Sequence, residues 1–301
     1  MARLLAAIFF WVGAMTASAT EPTAVLGTAP KVEPGELSRV PNEDAIASRI
    51  WMPALDAGFV PQGLTVTANH VLAAAYRSTS YRISRGESRV FAVDMKSGEL
   101  VGEIRLPDDV GHPGGLANDR RGTLFVADRG KLYRIDLARA LADGHTRAAV
   151  LGRADVDREI GPSFLAWHAG HLWFGPYEKY GEPRLYRYPV SEVFPEDGNI
   201  YLTALDDVHS IPIDVRTQGA AFDAEGRLWL SQSGGDGGVV QRLDPETGDL
   251  LDLFAVAAGT EDLSFDEAGT LWSVSEAGSL RWRHWETYFP LIFSLDVARL
   301  K

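Results

Sequence analysis

A repeated pair of short strands is the feature that most constrains the fold. Each copy begins with a short apolar strand, passes through a polar turn and continues into a second strand rich in aromatic residues. Asp and Gly in the turns supply turn conformations and end the first strand. The first strands of the copies begin at Gly63, Gly115, Phe164, Gly219 and Asp262.

A third strand follows the pair in most copies, and a fourth follows in some. These segments alternate, at least in part, between apolar and polar residues, as half-buried strands do. The third strands are expected at 89–94, 131–136, 184–189, 239–244 and 291–296, and fourth strands at 99–106 and 249–256.

Successive copies lie 43 to 55 residues apart, which is the size of one four-stranded propeller blade. The pattern therefore predicts an all-β fold, a β-propeller with five blades. Six blades are the alternative, if a degenerate blade occupies residues 139–161 or if the N-terminal arm holds more than one strand.

The fifth copy ends at its third strand, and one strand-like segment, 46–51, precedes the first copy. We expect this segment to become the outer strand of the last blade. Such pairing closes the ring and covers an exposed sheet edge.

The N-terminus has the organisation of a secretion signal. Arg3 precedes a nine-residue apolar run at 4–12, too short to span a bilayer, and Ala17-Ser18-Ala19 gives the small residues of a cleavage site. A transmembrane anchor is the alternative. The predicted organisation is a signal peptide at 1–19, a flexible arm at 20–44 and a single propeller domain at 45–301, in a periplasmic or secreted protein.

Composition excludes several functions. The chain has no cysteine, which excludes thiolate catalysis and cysteine-ligated metals, and it is long enough to fold without disulfides. A net charge of −12 disfavours nucleic acid and anionic membranes as partners, although charge spread along the chain is also typical of simple solubility. We expect a monomer.

Propeller geometry predicts where a site would lie. The residue before each first strand and the residue after each second strand converge on one rim of the central channel. We expect a small-molecule ligand or a partner protein there, the alternative being that these side chains bind one another and channel water. The rim residues are Gln62, Gly114, Ser163, Gln218 and Glu261 before first strands, Arg77, Asp128, Glu178, Gln232 and Glu276 after second strands, and His112 and Arg129 beside them.

An unusually aromatic insertion, 278–290, lies between strands of the fifth copy and contains Trp282, Trp285, Tyr288 and Phe289. It is expected either to pack against the core or to form a lid over the ring.

Three short motifs resemble the SMP-30, gluconolactonase and strictosidine-synthase-like superfamily of propellers. They are Pro61-Gln62-Gly63-Leu64, Gly114-Gly115-Leu116-Ala117-Asn118-Asp119 and Asp223-Ala224-Glu225-Gly226-Arg227-Leu228-Trp229. The resemblance implies a lactonase whose divalent metal, such as calcium, is held by Glu, Asn and Asp before first strands and polarises the lactone carbonyl. Glu261 matches the Glu, whereas Gly114 and Gln218 stand in place of the Asn and the Asp.

Two functions follow from the sequence. One is an exported propeller that binds a small molecule or partner protein at its rim, and the other is a metal-dependent lactonase or hydrolase. Glu261 and Glu276 are the candidate metal ligands, and their repulsion should raise the pKa of one or be relieved by a shared cation. The nucleophile elbow, the His-Glu-x-x-His motif and the phosphate loop are absent from the sequence.

The first prediction concerns export. Protein isolated from its native host should lack residues 1–19, because the apolar run and the small residues after it meet the requirements of a signal peptidase. Intact-mass spectrometry measures this directly. A mature chain that begins at Met1 would contradict the prediction.

Overall fold

Five sheets, built mainly of antiparallel strands, are arranged as blades around a central channel in the computed structural model, which describes residues 23–196, 198, 200–204 and 208–301. The predicted signal peptide lies outside the described residues. The innermost strands of the blades contact one another in sequence order, and the fifth contacts the first. The prediction of a five-bladed β-propeller is therefore confirmed.

The blades follow the chain in order. Blade 1 holds β3 to β6, blade 2 holds β7 to β10 with β14, blade 3 holds β11 to β13 with β15, blade 4 holds β16 to β19, and blade 5 holds β20 to β22 with β2 and β1. The strands are β1 (Val25–Leu26), β2 (Ile46–Trp51), β3 (Phe59–Val66), β4 (His70–Arg77), β5 (Ser88–Asp94), β6 (Leu100–Arg105), β7 (Gly115–Asn118), β8 (Thr123–Asp128), β9 (Lys131–Asp136), β10 (Val150–Val156), β11 (Phe164–His168), β12 (His171–Gly175), β13 (Arg184–Pro189), β14 (Ile200–Leu202), β15 (Ser210–Pro212), β16 (Thr217–Phe222), β17 (Leu228–Gly234), β18 (Gly237–Leu243), β19 (Leu250–Val256), β20 (Thr260–Phe265), β21 (Leu271–Ser275) and β22 (Leu291–Leu295).

Short helices connect some of the strands. The α-helices are α1 (Leu137–Asp143) and α2 (Val190–Val193), and three single turns of 3-10 helix lie at Glu43–Ala45, Leu55–Ala57 and Val297–Arg299. The Asp136 side chain caps α1 by accepting the N–H of Arg139. None of the helices in the described part of the chain is long and apolar enough to cross a membrane.

The region in which a sixth blade was the alternative belongs to blade 2. Residues 139–161 contain most of α1 and the strand β10, which pairs antiparallel with β9. A fifth strand, β14, comes from the connection between β13 and β15 and pairs parallel with β10, so the third copy contributes one strand to its neighbour. This crossing strand has no counterpart in the sequence repeat.

The ring is closed by the predicted N-terminal strand. β2 pairs antiparallel with β22, with Ile46 opposite Leu295 and Trp51 opposite Leu291. β1 then adds to β2 in parallel. Residues 20–44 are expected to form an arm, and the part of that arm described by the structure lies against the propeller, where the backbone N–H of Lys31 donates to Asp56 at 2.8 Å.

Each interface between neighbouring blades has its own hydrophobic cluster. Between blades 4 and 5, for example, Trp229 packs with Phe265 and Phe293. Four similar clusters lie between blades 1 and 2, 2 and 3, 3 and 4, and 5 and 1. Burial of apolar surface at all five interfaces therefore holds the ring together.

Two turns explain why Asp ends several first strands. Asp223 accepts the backbone N–H of Arg227 at 2.9 Å and the indole N–H of Trp229 at 2.9 Å. Asp266 makes the equivalent bonds to Thr270 and Trp272, both at 2.9 Å. One carboxylate thus shapes the turn and orients the tryptophan of the next strand.

A buried carboxylate lies where the innermost strands meet. Oδ2 of Asp262, in β20, accepts the backbone N–H of Leu64 at 3.0 Å and that of Leu116 at 2.8 Å. Its Oδ1 accepts the N–H of Leu263 at 3.0 Å, and the N–H of Ala220 also bonds to this carboxylate. Asp262 therefore links the inner strands of blades 1, 2, 4 and 5.

Glycine allows these strands to approach so closely. A Cβ on Gly219 would lie 2.4 Å from the Cα of Asp262, and one on Gly115 would lie 2.5 Å from the backbone nitrogen of Leu165. Both distances are shorter than any real contact of a side-chain carbon, so these copies begin with glycine for a packing reason.

The second prediction concerns closure. Removal of residues 1–52 deletes β2 and leaves the edge of β22 unpaired, so this truncation should aggregate. Removal of residues 1–40 keeps β2 and should give a monomer with a lower melting temperature, since β1 is lost. Size-exclusion chromatography and thermal unfolding compare the two proteins. Equal behaviour would contradict a closing role for β2.

Candidate functional site

One end of the central channel opens into a cavity of about 500 Å³, which we call the rim cavity. Residues from all five blades surround it, together with the insertion at 278–290. Its lining residues are Gln62, Ser84, His112, Gly114, Arg129, Ser163, Tyr177, Lys179, Arg216, Gln218, Ser233, Gly234, Gly235, Asp236, Glu276, Arg281, Trp282 and Trp285.

Seven of the rim residues line this cavity. Gly114 and Ser163 precede first strands as predicted, whereas Gln62 and Gln218 lie inside β3 and β16, because these strands begin earlier than the repeat predicted. Glu276 follows a second strand, and His112 and Arg129 lie beside these positions. The seven residues are Gln62, Gly114, Ser163, Gln218, Glu276, His112 and Arg129. The convergence expected from propeller geometry is therefore present for these residues.

The other five rim residues do not line the cavity. Arg77 donates to the carbonyl of Ala57 at the surface, and Gln232 faces Gln241 at 3.5 Å. Asp128 is buried and accepts two bonds from the guanidinium of Arg85, at 2.9 and 2.6 Å.

The last two lie beside the rim cavity. Glu178 lines an adjoining groove that shares Arg129 and Tyr177 with the cavity. Glu261 is only 1% exposed and lies behind the cavity wall, next to Glu276.

Glu261 and Glu276 form a hydrogen-bonded carboxyl pair between two glutamines. Nε2 of Gln218 donates to Glu261 at 3.0 Å, and Nε2 of Gln62 donates to Glu276 at 3.0 Å. The two carboxyl groups also bond to each other, so one of them must carry the proton. Glu276 is the member of the pair that reaches the cavity.

The pair is protonated more readily than exposed carboxyl groups. Burial raises the pKa of Glu261 well above its ordinary value, and the negative charge of Glu276 raises it further. Burial also raises the pKa of Glu276 to about 7, although the neighbouring polar groups of Trp282, Glu261 and Gln62 oppose this effect. The arrangement can hold a proton at neutral pH and release it nearby.

His112 is neutral in this environment. Its ring stacks on Tyr76 with the ring centroids 4.5 Å apart, and it contacts the carbonyl of Ser84. Burial lowers the pKa of His112 to about 4, and the charge of Arg129 contributes to this.

Several cavity residues were missed by the repeat pattern. Tyr177 and Lys179 follow β12, and Arg216 precedes β16, so each lies one or two residues from a position that the pattern selected. Trp282 and Trp285 stack at 4.6 Å and form one wall, whereas Phe289 of the same insertion is buried in the core. The aromatic content of 278–290 was the one signal for that wall, and the insertion serves both packing and the cavity.

The far end of the channel holds a smaller cavity of about 260 Å³, lined by Thr65, Trp167 and His168 among others. His168 stacks on Phe222 there, at 4.3 Å between ring centroids. Because Gln62 lines the rim cavity and Thr65 lines this one, Asp262, which binds the N–H of Leu64, lies between the two.

No protein-family model and no curated protein matches this sequence. Among solved structures, the chain is similar to the glutaminyl cyclase of Myxococcus xanthus, with 12% identity and a TM-score of 0.53 over 79% of this chain and 90% of that one. It also aligns with hydrazine synthase of Kuenenia stuttgartiensis, with 13% identity and a TM-score of 0.41 over 71% of this chain and 56% of that one. At these identities the first likeness shows the fold alone, and the second carries no argument.

The third prediction concerns pH. A carboxyl group with a raised pKa in the folded state binds a proton that the unfolded chain releases, so it stabilises the fold below its unfolded pKa and loses that contribution as pH rises through its folded pKa. The contribution of Glu276 to the free energy of unfolding should therefore fall between about pH 4.5 and 8, by up to about 3 kcal/mol. His112, whose pKa is lowered to about 4 in the folded state, contributes with the opposite sign, so the effect of Glu276 is read from the difference between the wild type and a variant without this carboxyl group.

The substitution Glu276→Gln should remove this contribution, because the amide does not titrate, so the wild type should lose stability relative to the variant as the pH rises. The control is Glu99→Gln, at an exposed position, which should leave the pH profile unchanged. Chemical denaturation at a series of pH values measures the effect. Parallel pH profiles of the wild type and Glu276→Gln would contradict the assignment of the pair.

Proposed function

We propose that this exported propeller binds a small molecule in the rim cavity. The observation that carries the proposal is the cavity itself, whose volume of about 500 Å³ and mixture of aromatic and polar walls are typical of small-molecule sites. Export rests on the predicted signal peptide.

The depth of the site favours a small molecule over a partner protein. Glu276 is only 6% exposed, so a folded partner would have to insert a narrow segment to reach it. Polar groups converge there from different blades, which is how binding sites fix the orientation of a ligand.

A metal-dependent lactonase of the SMP-30 and gluconolactonase type is the alternative proposal. Its expected metal ligands do not fit well, because Gly114 has no side chain and the Gln218 amide donates its hydrogen to Glu261. Among the residues described, no group of three or more His, Asp and Glu side chains is placed to hold a metal ion. Oxygen-binding cations such as calcium take more ligands than two carboxylates, so Glu261 and Glu276 alone do not make a complete site.

The fourth prediction tests the location of binding. Trp285→Ala removes one of the two stacked indoles of the cavity wall. It should weaken the binding of any ligand of the rim cavity by about tenfold or more, because aromatic side chains contribute heavily to binding. Trp167→Ala, at the opposite cavity, is the matched control and should not change the affinity.

A metabolite library screened by thermal shift provides the ligands, and calorimetry on both variants gives the affinities. Adding calcium to the same screen tests the metal alternative. Weaker binding to Trp167→Ala than to Trp285→Ala would place the site at the opposite cavity and contradict the proposal.

A further inference from the structure

Arg281 is a buried cation in the wall of the rim cavity. It is 8% exposed, and its hydrogen bond within the described residues is a long one, from Nη2 to the carbonyl of Tyr81 at 3.4 Å. Its Nε is buried without a partner, and no carboxylate within the described residues forms an ion pair with it. A guanidinium has five N–H donors, so most of the hydrogen-bonding capacity of this group is unused.

Arg49, the other strongly buried arginine among the described residues, has polar partners. Arg49 is 6% exposed, and it pairs with Glu43 at 3.6 Å and donates through Nε to the carbonyl of Thr23 at 2.7 Å. A buried charge without such partners is costly, because it has lost its water and gained nothing in exchange. Arg281 therefore lacks a counter-ion that its position requires.

Aromatic rings hold the guanidinium in place. Its central carbon lies 4.4 Å from the ring centroid of Trp282 and 5.5 Å from that of Tyr76. Burial lowers the pKa of Arg281 to about 10, so it remains charged at neutral pH. The cation is thus fixed in position before any ligand arrives.

Most of the remaining charges of the cavity have the same sign. Arg129, Lys179 and Arg216 line it with Arg281, against the two carboxylates Asp236 and Glu276. Asp236 lies 3.8 Å from Arg216. Neither of these carboxylates forms an ion pair with Arg281 in the described part of the chain, so Glu276 does not act as its counter-ion. A locally positive cavity in a chain of net charge −12 selects for anions at that point of the surface.

We propose that the ligand of the rim cavity is a small organic anion whose carboxylate or other oxyanion pairs with Arg281. This inference rests on the proposed function and names the class of ligand. The planar guanidinium forms paired bonds with such groups, and the indoles of Trp282 and Trp285 and the ring of Tyr177 offer apolar surface to the body of the molecule.

The test uses probes that differ in charge and share a shape. Phenylacetate, phenylacetamide and phenethylamine are titrated into the full-length mature protein at constant ionic strength, with inorganic phosphate as a second anion. Phenylacetate should raise the melting temperature more than the amide or the amine does. A response to phosphate but not to phenylacetate would identify a phosphate-type oxyanion as the group recognised.

Two substitutions examine Arg281 itself. Arg281→Met keeps an unbranched apolar side chain, and it should weaken phenylacetate or phosphate binding by at least about tenfold without lowering the melting temperature of the free protein, since an unpaired buried charge is removed. Arg281→Lys keeps the positive charge but lacks the planar guanidinium, so it should also weaken the binding of the anion by about tenfold. Arg121→Met, at an exposed position near the opposite end, is the control.

The outcomes separate the two proposals. If the amide binds as well as phenylacetate and neither substitution matters, the anion inference fails while small-molecule binding stands. If Arg281→Met lowers the melting temperature and leaves the anion response intact, Arg281 serves the packing of the insertion, and the inference is overturned. If none of the four probes shifts the melting temperature, the anion inference fails together with the choice of this cavity.

Discussion

The buried carboxylate of Asp262 is the interaction on which the rest of the structure depends. It accepts backbone N–H groups from the inner strands of blades 1, 2, 4 and 5, at 2.8 to 3.0 Å for Leu64, Leu116 and Leu263. Backbone donors buried at the centre of a ring have no water to bond, so a single acceptor that serves several strands satisfies all of them at once. Burial raises the pKa of Asp262, while these N–H groups act in the opposite direction. These hydrogen bonds require the inner strands to approach one another closely, which is possible because residues such as Gly219 have no Cβ.

This central contact also determines where a site can form. Asp262 lies in the channel between the two cavities, so the rim cavity is built on the same inner strands that this carboxylate links. Glu261 precedes Asp262 in the chain, and its position beside Glu276 follows from the same short segment of β20. The carboxyl pair is therefore a consequence of the strand that holds the ring together. Above it, Arg281 brings a positive charge that forms no ion pair within the described part of the chain.

Several elements were predictable because their signals are local. Alternation over four to eight residues located most strands, including β2, whose predicted bounds 46–51 are those observed. Turn residues such as Asp223 and Asp266 act within six residues of their own position, so their effect is visible in the sequence. The rim position of Gln62 and Gln218 followed from the same repeat, since equivalent positions of equivalent blades must meet around one axis. The crossing strand β14 could not be found in this way, because its partner β10 lies in another copy.

The sequence by itself determined the propeller repeat, the closing strand and the ring of polar positions, because each of these depends on a short period or on a turn, and it predicted five blades with six as the alternative. Only the tertiary structure decided which polar groups share the cavity. Asp128 and Glu276 are equivalent by position, yet Asp128 is neutralised by Arg85 from a neighbouring loop whereas Glu276 faces the cavity. Arg281 likewise belongs to the aromatic insertion, which is not part of the repeat, so the repeat does not predict which residues contact it. The charge balance around a side chain is a sum over neighbours distant in sequence, and it exists only once the ring has closed.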